Sequence, residues 1–257
     1  MHPFFYPLGY QIPAYWLMGM TGACVTALFL FLRRRQAGFP AEDALYAGLM
    51  AVAGALVGSK LFHFATLIPL IARNLDKVLV EPSLLADVVL SGGVFYGGAI
   101  GGALAMLWYC RRYLIPVDKA IVYYTPAVPL FHAFGRVGCF LAGCCWGVEH
   151  DHGLVYTQSL AAPNDVPLLP VQLIEAACNL IIFALLLEAL RRLKRKQLVL
   201  PIYLILYGAA RFVLEFYRGD LIRGVAILST SQWISIVLVA VSLGYLVNAG
   251  RKRVSIR

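Results

Sequence analysis

Apolar residues fill this chain in long blocks rather than in the rhythm of a soluble helix or strand. Seven blocks of roughly the 20 residues needed to cross a bilayer run over 12–32, 44–70, 88–109, 120–145, 170–190, 198–216 and 229–249. Polar residues gather between them. The pattern predicts an all-α membrane protein with seven transmembrane helices, forming one bundle over residues 1–257. The longest polar stretch, 146–169 (WGVEHDHGLVYTQSLAAPNDVPLL), predicts a small external cap. The opening MHPFFYPLGY lacks the positive n-region of a cleavable signal peptide, so the first span is expected to remain. No internal repeat or low-complexity tract interrupts the pattern.

Charge orients the spans. Arg33–Arg35 follow the first block, and Arg111, Arg112 and Lys119 lie between the third and fourth. Arg191, Arg192 and Lys194–Lys196 follow the fifth, and Arg251–Arg253 with Arg257 follow the last. Those fifteen of the 22 Lys and Arg fall in alternate loops, whereas the opposite loops hold Arg73, Lys77, Arg218 and Arg223. Cytoplasmic loops carry the excess of basic residues, so the N-terminus is expected outside and the C-terminus in the cytoplasm. The net charge of +9 is then a feature of the inner membrane face, not a nucleic-acid footprint. Composition agrees: 61% of residues are hydrophobic and 14% charged, against about 45–50% and 25% in soluble domains.

Three cations stay within the apolar blocks: Lys60, Arg136 and Arg211. A charged side chain at membrane depth costs about 2.5–3.5 kcal/mol on insertion scales and usually faces a partner or a cavity. Arg211 and Glu215 are four residues apart on one helical face and can pair. Arg136 has no acid within one helical turn; His132 lies one turn before it. It is the best-placed residue to hold an anion that is not protein, which in a membrane means a lipid phosphate gripped by two parallel hydrogen bonds.

Glycines and cysteines punctuate two stretches. In GGVFYGGAIGGALA (92–105), Gly93 and Gly97, then Gly98 and Gly102, have the spacing that lets helices approach closely. The doublets also suit a broken helix lining a cavity. HAFGRVGCFLAGCCWG (132–147) carries Gly135, Gly138, Gly143 and Gly147 with Cys139, Cys144 and Cys145. Small residues packed against a lipid cavity are the leading reading of these thiols. A zinc site matches the C-x4-CC spacing poorly, an external disulfide is chemically open, and a nucleophilic thiolate needs a field such as that of Arg136. The EHDH run, Glu149–His152, has metal-binding composition but reads first as a solvated loop.

These motifs, in this order, resemble the prolipoprotein diacylglyceryl transferases, bacterial plasma-membrane enzymes with seven spans. IPAYWLMGMTG, with Tyr15, is similar to the family's first span, and ALYAGLMAVAGALVGSKLFHF to its second, with Lys60 where many members have arginine. GGVFYGGAIGG resembles the third-span motif and GRVGCFLAGCCWG the signature, with Arg136 as the signature arginine. PVQLIEA (170–176), YGAARFVLEFYR (207–218) and the SQWIS of the last span complete the series. Departures fall at Tyr96, where many members have histidine, at Cys139 for asparagine, and at Cys144 for an acidic residue.

The resemblance implies that the diacylglyceryl group of phosphatidylglycerol, or of a related anionic phospholipid, passes to the lipobox cysteine of a secreted prolipoprotein. Glycerol phosphate leaves, and no cofactor, metal or nucleic acid takes part. It implies catalytic roles for Arg136, Arg211 and Glu215, with Tyr96 standing in the histidine's position; His132, one turn from Arg136, is read as a replacement base. Tyr15, Lys60, Gly97, Gly98, Gly135, Gly138, Cys139, Cys144, Gln172 and Arg218 would line the substrate site. The alternatives are a divergent member using another lipid or acceptor, and a non-enzymatic lipid-binding or transport protein.

Overall fold

The structure, a computed structural model, describes residues 3–6, 9–73, 93–159, 161–220, 224–225 and 227–254. Lys77, Arg223 and Arg257, Gly92 of the glycine-rich motif and the start of the third expected span lie outside the described residues. Helices occupy most of the rest of the seven blocks. They are α1 (Ala14–Arg33), α2 (Ala41–Arg73), α3 (Phe95–Arg112), α4 (Val117–Tyr124), α5 (Ala127–Ala142), α6 (Val171–Arg192), α7 (Val199–Leu214) and α8 (Thr230–Val254). Five stretches are long and apolar enough to cross a membrane: Ala14–Gln36, Ala41–Arg73, Val171–Arg192, Lys196–Tyr217 and Thr230–Arg251. Large apolar side chains stay exposed along them, among them Leu32, Leu61 and Val241, as an all-α membrane protein requires.

The fourth expected block divides in two. Thr125 closes α4 by donating its hydroxyl and its N–H to the Ile121 carbonyl at 2.7 and 3.0 Å. Pro126 follows, with no N–H to continue the ladder, and α5 restarts behind it. That helix stops at Ala142, three residues before the expected end. Gly143 adopts φ 75°, ψ 23°, and its N–H reaches back to the Cys139 and Phe140 carbonyls, the left-handed C-terminal cap that glycine adopts without strain.

The described residues group into two compact units, Arg34–Ala120 and Met1–Arg33 with Ile121–Arg257. In the first, α2 and α3 meet through glycine. A Cβ on Gly58 would lie 2.3 Å from the Gly97 carbonyl oxygen, and one on Gly101 2.3 Å from that of Gly54. Two four-residue glycine steps thus face each other, and the α3 doublets pack a continuous helix; over the described part of that motif there is no re-entrant turn. Tyr109 donates to Asp43 at 3.2 Å and Lys119 to the Gly38 carbonyl at 2.8 Å at one end of the pair.

In the other unit α1 lies on α5, where Gly138 faces Met18 and Tyr15 and a Cβ on Gly22 would sit 2.7 Å from Phe134. α6 and α7 share an apolar cluster of Ile182, Leu186, Leu190, Val199, Tyr203 and Tyr207. Strands β1 (Phe4–Phe5) and β2 (Ile12–Pro13) pair ahead of α1, and the stretch expected as an external cap, 146–169, holds a small antiparallel sheet of β3 (Glu149–Val155) with β4 (Pro167–Leu168), beside a cluster of Tyr156, Ala162 and Leu168. Its root is stitched on both sides. Val148 donates to the Tyr217 carbonyl at 2.9 Å, Gly219 to that of Trp146 at 3.0 Å, and Leu169 to that of Val148 at 2.9 Å. This stitching fixes the α5 exit beside the segment that carries Arg218.

A buried cluster of guanidiniums and carboxylates

Four charged side chains from three helices converge inside the second unit. Glu175, at the start of α6, is 2% exposed. Its Oε1 lies 3.1 Å from Arg136 Nε on α5, and its Oε2 accepts a hydrogen bond from Arg211 Nη1 on α7 at 3.3 Å. Arg211 turns its other arm to Glu215, with Nη2 2.5 Å from Oε2, and to the Ser231 hydroxyl at 3.5 Å. The pairing of Arg211 with Glu215 follows from their spacing. Arg136 has no acid within one turn of its own helix; its acid, Glu175, comes from another helix.

Geometry separates the two arginines. Arg211 is 4% exposed, and both of its terminal nitrogens engage protein. Arg136 spends only Nε, whose N–H points at His132 Nε2, 3.3 Å away. Glu175 Oε1 accepts no hydrogen bond among the described residues, so its contact with Arg136 is Coulombic. Both terminal nitrogens of Arg136 have no hydrogen-bond partner among the described residues. A guanidinium held through Nε leaves its outer fork for a bidentate anion.

His132 accepts from Arg136 through Nε2, so that nitrogen carries no proton; its ring packs on Tyr207 with centroids 5.3 Å apart. A second row of contacts sets the frame. Ser229 and Gln232 form a reciprocal capping box at the start of α8, each N–H donating to the other side chain at 2.9 and 3.1 Å, and Ser231 lies inside it. Asn179 donates to the Glu175 carbonyl at 2.8 Å.

Below Arg136 on α5 sits the thiol group. The sulfurs of Cys139, Cys144 and Cys145 lie within 4.8 Å of one another, and the six cysteines form no disulfide with one another. Gln172, 1% exposed, donates to the Cys144 carbonyl at 2.8 Å and exchanges hydrogen bonds with the Tyr156 hydroxyl at 3.3–3.4 Å. Burial pushes the Tyr156 phenol above its ordinary pKa, so it stays protonated. Arg218 is bound through Nε to Asp220 at 2.7 Å and through Nη2 to the same carboxylate.

Of the residues the sequence singled out, the structure joins Arg136, Arg211, Glu215 and His132 in one cluster. Gln172, Cys139 and Cys144 form the adjacent group, and Tyr15 packs on Gly138 of the α5 helix. Gly135 has open space where a Cβ would stand. Lys60 on α2 and Tyr96, Gly97 and Gly98 on α3 belong to the other unit, where Gly97 and Gly98 face the α2 backbone. The EHDH run is β3, exposed along its polar residues. Glu175 is the member of this cluster that the sequence reading left out of the site. Its signal was present, an acid at the head of an apolar block, four places after the buried Val171.

Known proteins are similar to this chain along most of its length. The sequence model described as prolipoprotein diacylglyceryl transferase matches residues 3–248. A protein of Clostridium tetani named phosphatidylglycerol–prolipoprotein diacylglyceryl transferase is 31% identical over 246 residues, covering 95% of this chain and 96% of its own length. One of Clostridium perfringens with the same name, numbered 2, is 33% identical over 250 residues, covering 95% and 94%. One of Dehalococcoides mccartyi is 30% identical over 251 residues, covering 93% and 90%. With a match along nearly its whole length, the chain belongs to the prolipoprotein diacylglyceryl transferase family.

Proposed function

We propose that this protein transfers the diacylglyceryl group of phosphatidylglycerol to the cysteine thiol of a prolipoprotein in a bacterial plasma membrane. The observation that carries the reading is the outer fork of Arg136, which has no hydrogen-bond partner among the described residues while its Nε is fixed between His132 and Glu175. In the transfer, the thiol sulfur bonds to the diacylglyceryl carbon that carries the phosphate ester. The C–O bond breaks with its electron pair going to glycerol phosphate, and the thiol proton leaves to water. The phosphate gains one negative charge along this path. A guanidinium about 4 Å away at an effective dielectric of about 20 is worth about 4 kcal/mol to that charge, or roughly a thousandfold in rate.

Arg136 grips the phosphate, and Arg211, anchored by Glu215 and Glu175, supplies the second positive charge at the departing oxygen. Glu175 neutralises the two arginines in the empty site and aims them. Tyr15, Gly135, Gly138, Cys139, Cys144, Gln172 and Arg218 form the surrounding wall, and His132 keeps Arg136 in register. Seven spans with the basic loops in the cytoplasm, the N-terminus outside and the β3–β4 cap on the outer face would deliver the secreted acceptor to the thiol cluster.

Expression in a bacterial strain depleted of its own transferase tests the reading. Wild type is expected to restore growth and lipoprotein processing, and Arg136→Ala and Arg211→Ala are expected to fail at equal membrane abundance. Correctly inserted wild-type protein that restores neither, or arginine variants that work as well as wild type, would refute it.

A further inference from the structure

The three thiols at the exit of α5 are more than the lipid transfer requires. We infer that Cys139, Cys144 and Cys145 form a three-thiolate zinc site whose open fourth position takes the acceptor cysteine as a thiolate; this rests on the transfer reading above. Among the described residues this is the one group of three or more His, Cys, Asp or Glu side chains gathered to metal-binding distance. Tetrahedral zinc with sulfur bonds of about 2.3 Å places its sulfurs about 3.8 Å apart. Each thiol, already within 4.8 Å of the others, needs to move by no more than about 1 Å, which a small side-chain rotation supplies.

The loop beneath is built to hold them. Gly143 and Cys145 both have left-handed backbones, φ 75° and 61°, and the second is a strained conformation for a cysteine. The Gly143 carbonyl accepts from the Ser159 hydroxyl at 3.3 Å and the Ala162 N–H at 3.0 Å. Gln172 holds the Cys144 carbonyl from below. Such outer contacts orient metal ligands. The charges also match. A zinc ion with three thiolates carries one net negative charge, and Arg136 and Arg218 both act electrostatically on these sulfurs.

Three protein ligands leave a fourth position open, as in catalytic zinc sites, whereas structural sites are closed by four. A thiol with a reference pKa of about 8.5 is mostly protonated at neutral pH, and zinc deprotonates a coordinating thiol outright. The acceptor thiol displaces the zinc-bound water and loses its proton to solvent. The zinc-bound sulfur then forms the C–S bond as the C–O bond breaks toward glycerol phosphate. The product thioether, a poor ligand, leaves, and water returns. Cys139 lies three residues beyond Arg136 on α5, so nucleophile and phosphate grip share one helical face.

The full chain, purified in detergent micelles without chelator, is assayed for zinc by mass spectrometry and then loaded with cobalt(II). Wild type is expected to hold one zinc per chain, the triple Cys139→Ser, Cys144→Ser, Cys145→Ser variant none, and Gln172→Leu to bind about 10–100-fold more weakly. The cobalt–thiolate absorption is expected to shift on adding a lipobox peptide, and not with the same peptide carrying serine for its cysteine. Absence of metal from zinc-supplemented wild type, retention of zinc by the folded triple-serine chain, or an oxidised cysteine pair in the intact protein would overturn the site. So would full activity of metal-free protein, which leaves the transferase reading standing. A cobalt centre that responds to the peptide in a chain forming no thioether would uphold the site and overturn the transfer.

Discussion

Glu175→Gln removes one charge and keeps the shape of the side chain. In the wild-type protein two guanidiniums face two carboxylates, Glu175 and Glu215, within one buried cluster. The contacts of Glu175 at 3.1 and 3.3 Å are each worth about 5 kcal/mol of Coulomb energy at an effective dielectric of about 20, before desolvation. Desolvation offsets most of this, and removing one partner of a buried pair leaves a net loss of about 3–5 kcal/mol. Glutamine still accepts one hydrogen bond, so the lower end of that range is expected. The assay is denaturant unfolding in mixed micelles, read by circular dichroism, with Glu188→Gln as control. Glu188 pairs with Arg191 and Arg192, whose side chains are 80% exposed, and its loss is expected to cost at most about 0.5 kcal/mol. A Glu175→Gln protein within about 1 kcal/mol of wild type would refute the view that this carboxylate organises the site.

Two further perturbations probe the frame. Gly58→Val brings a side chain to within 2.3 Å of the Gly97 carbonyl and is expected to cost about 3 kcal/mol, whereas Gly244→Ala on α8, with nothing within 4 Å, is expected to be neutral or to stabilise by about 0.5–1 kcal/mol; thermal unfolding of both reads the difference in sign. Ser229→Ala opens the capping box of α8 and is expected to cost about 1 kcal/mol; because Ser231 then loses its fixed place beside Arg211, turnover is expected to fall by more than phospholipid affinity does, and an unchanged turnover would count against Ser231.

Five of the seven expected spans coincide with helices long and apolar enough to cross a membrane, because length and apolarity need no tertiary information. Helix ends were less legible. The division at Thr125–Pro126 was signalled by the proline, but a continuous apolar block masks such a break. The site was half legible. Arg211 and Glu215 lie on one helix at a spacing that predicts their contact, whereas Arg136 meets Glu175 across two helices, with 38 residues between them that place it only through folding. The α3 glycine doublets were read as either packing or a break, and their partner glycines on α2, Gly54 and Gly58, decide for packing. The thiol cluster, too, required a fold. Cys144 and Cys145 meet Cys139 only because Gly143 turns the chain back at the end of α5.

Central to the transfer is the outer fork of Arg136 holding phosphate as it departs. The direct measurement is the mass-spectrometric yield of diacylglyceryl-modified lipobox peptide from phosphatidylglycerol vesicles, comparing wild type with Arg136→Lys at matched folding. A lysine keeps the charge but loses the two-pronged geometry, so a loss of about a hundredfold or more in kcat/KM is expected, near 3 kcal/mol of transition-state stabilisation. Equal thioether yields from the two proteins would contradict it.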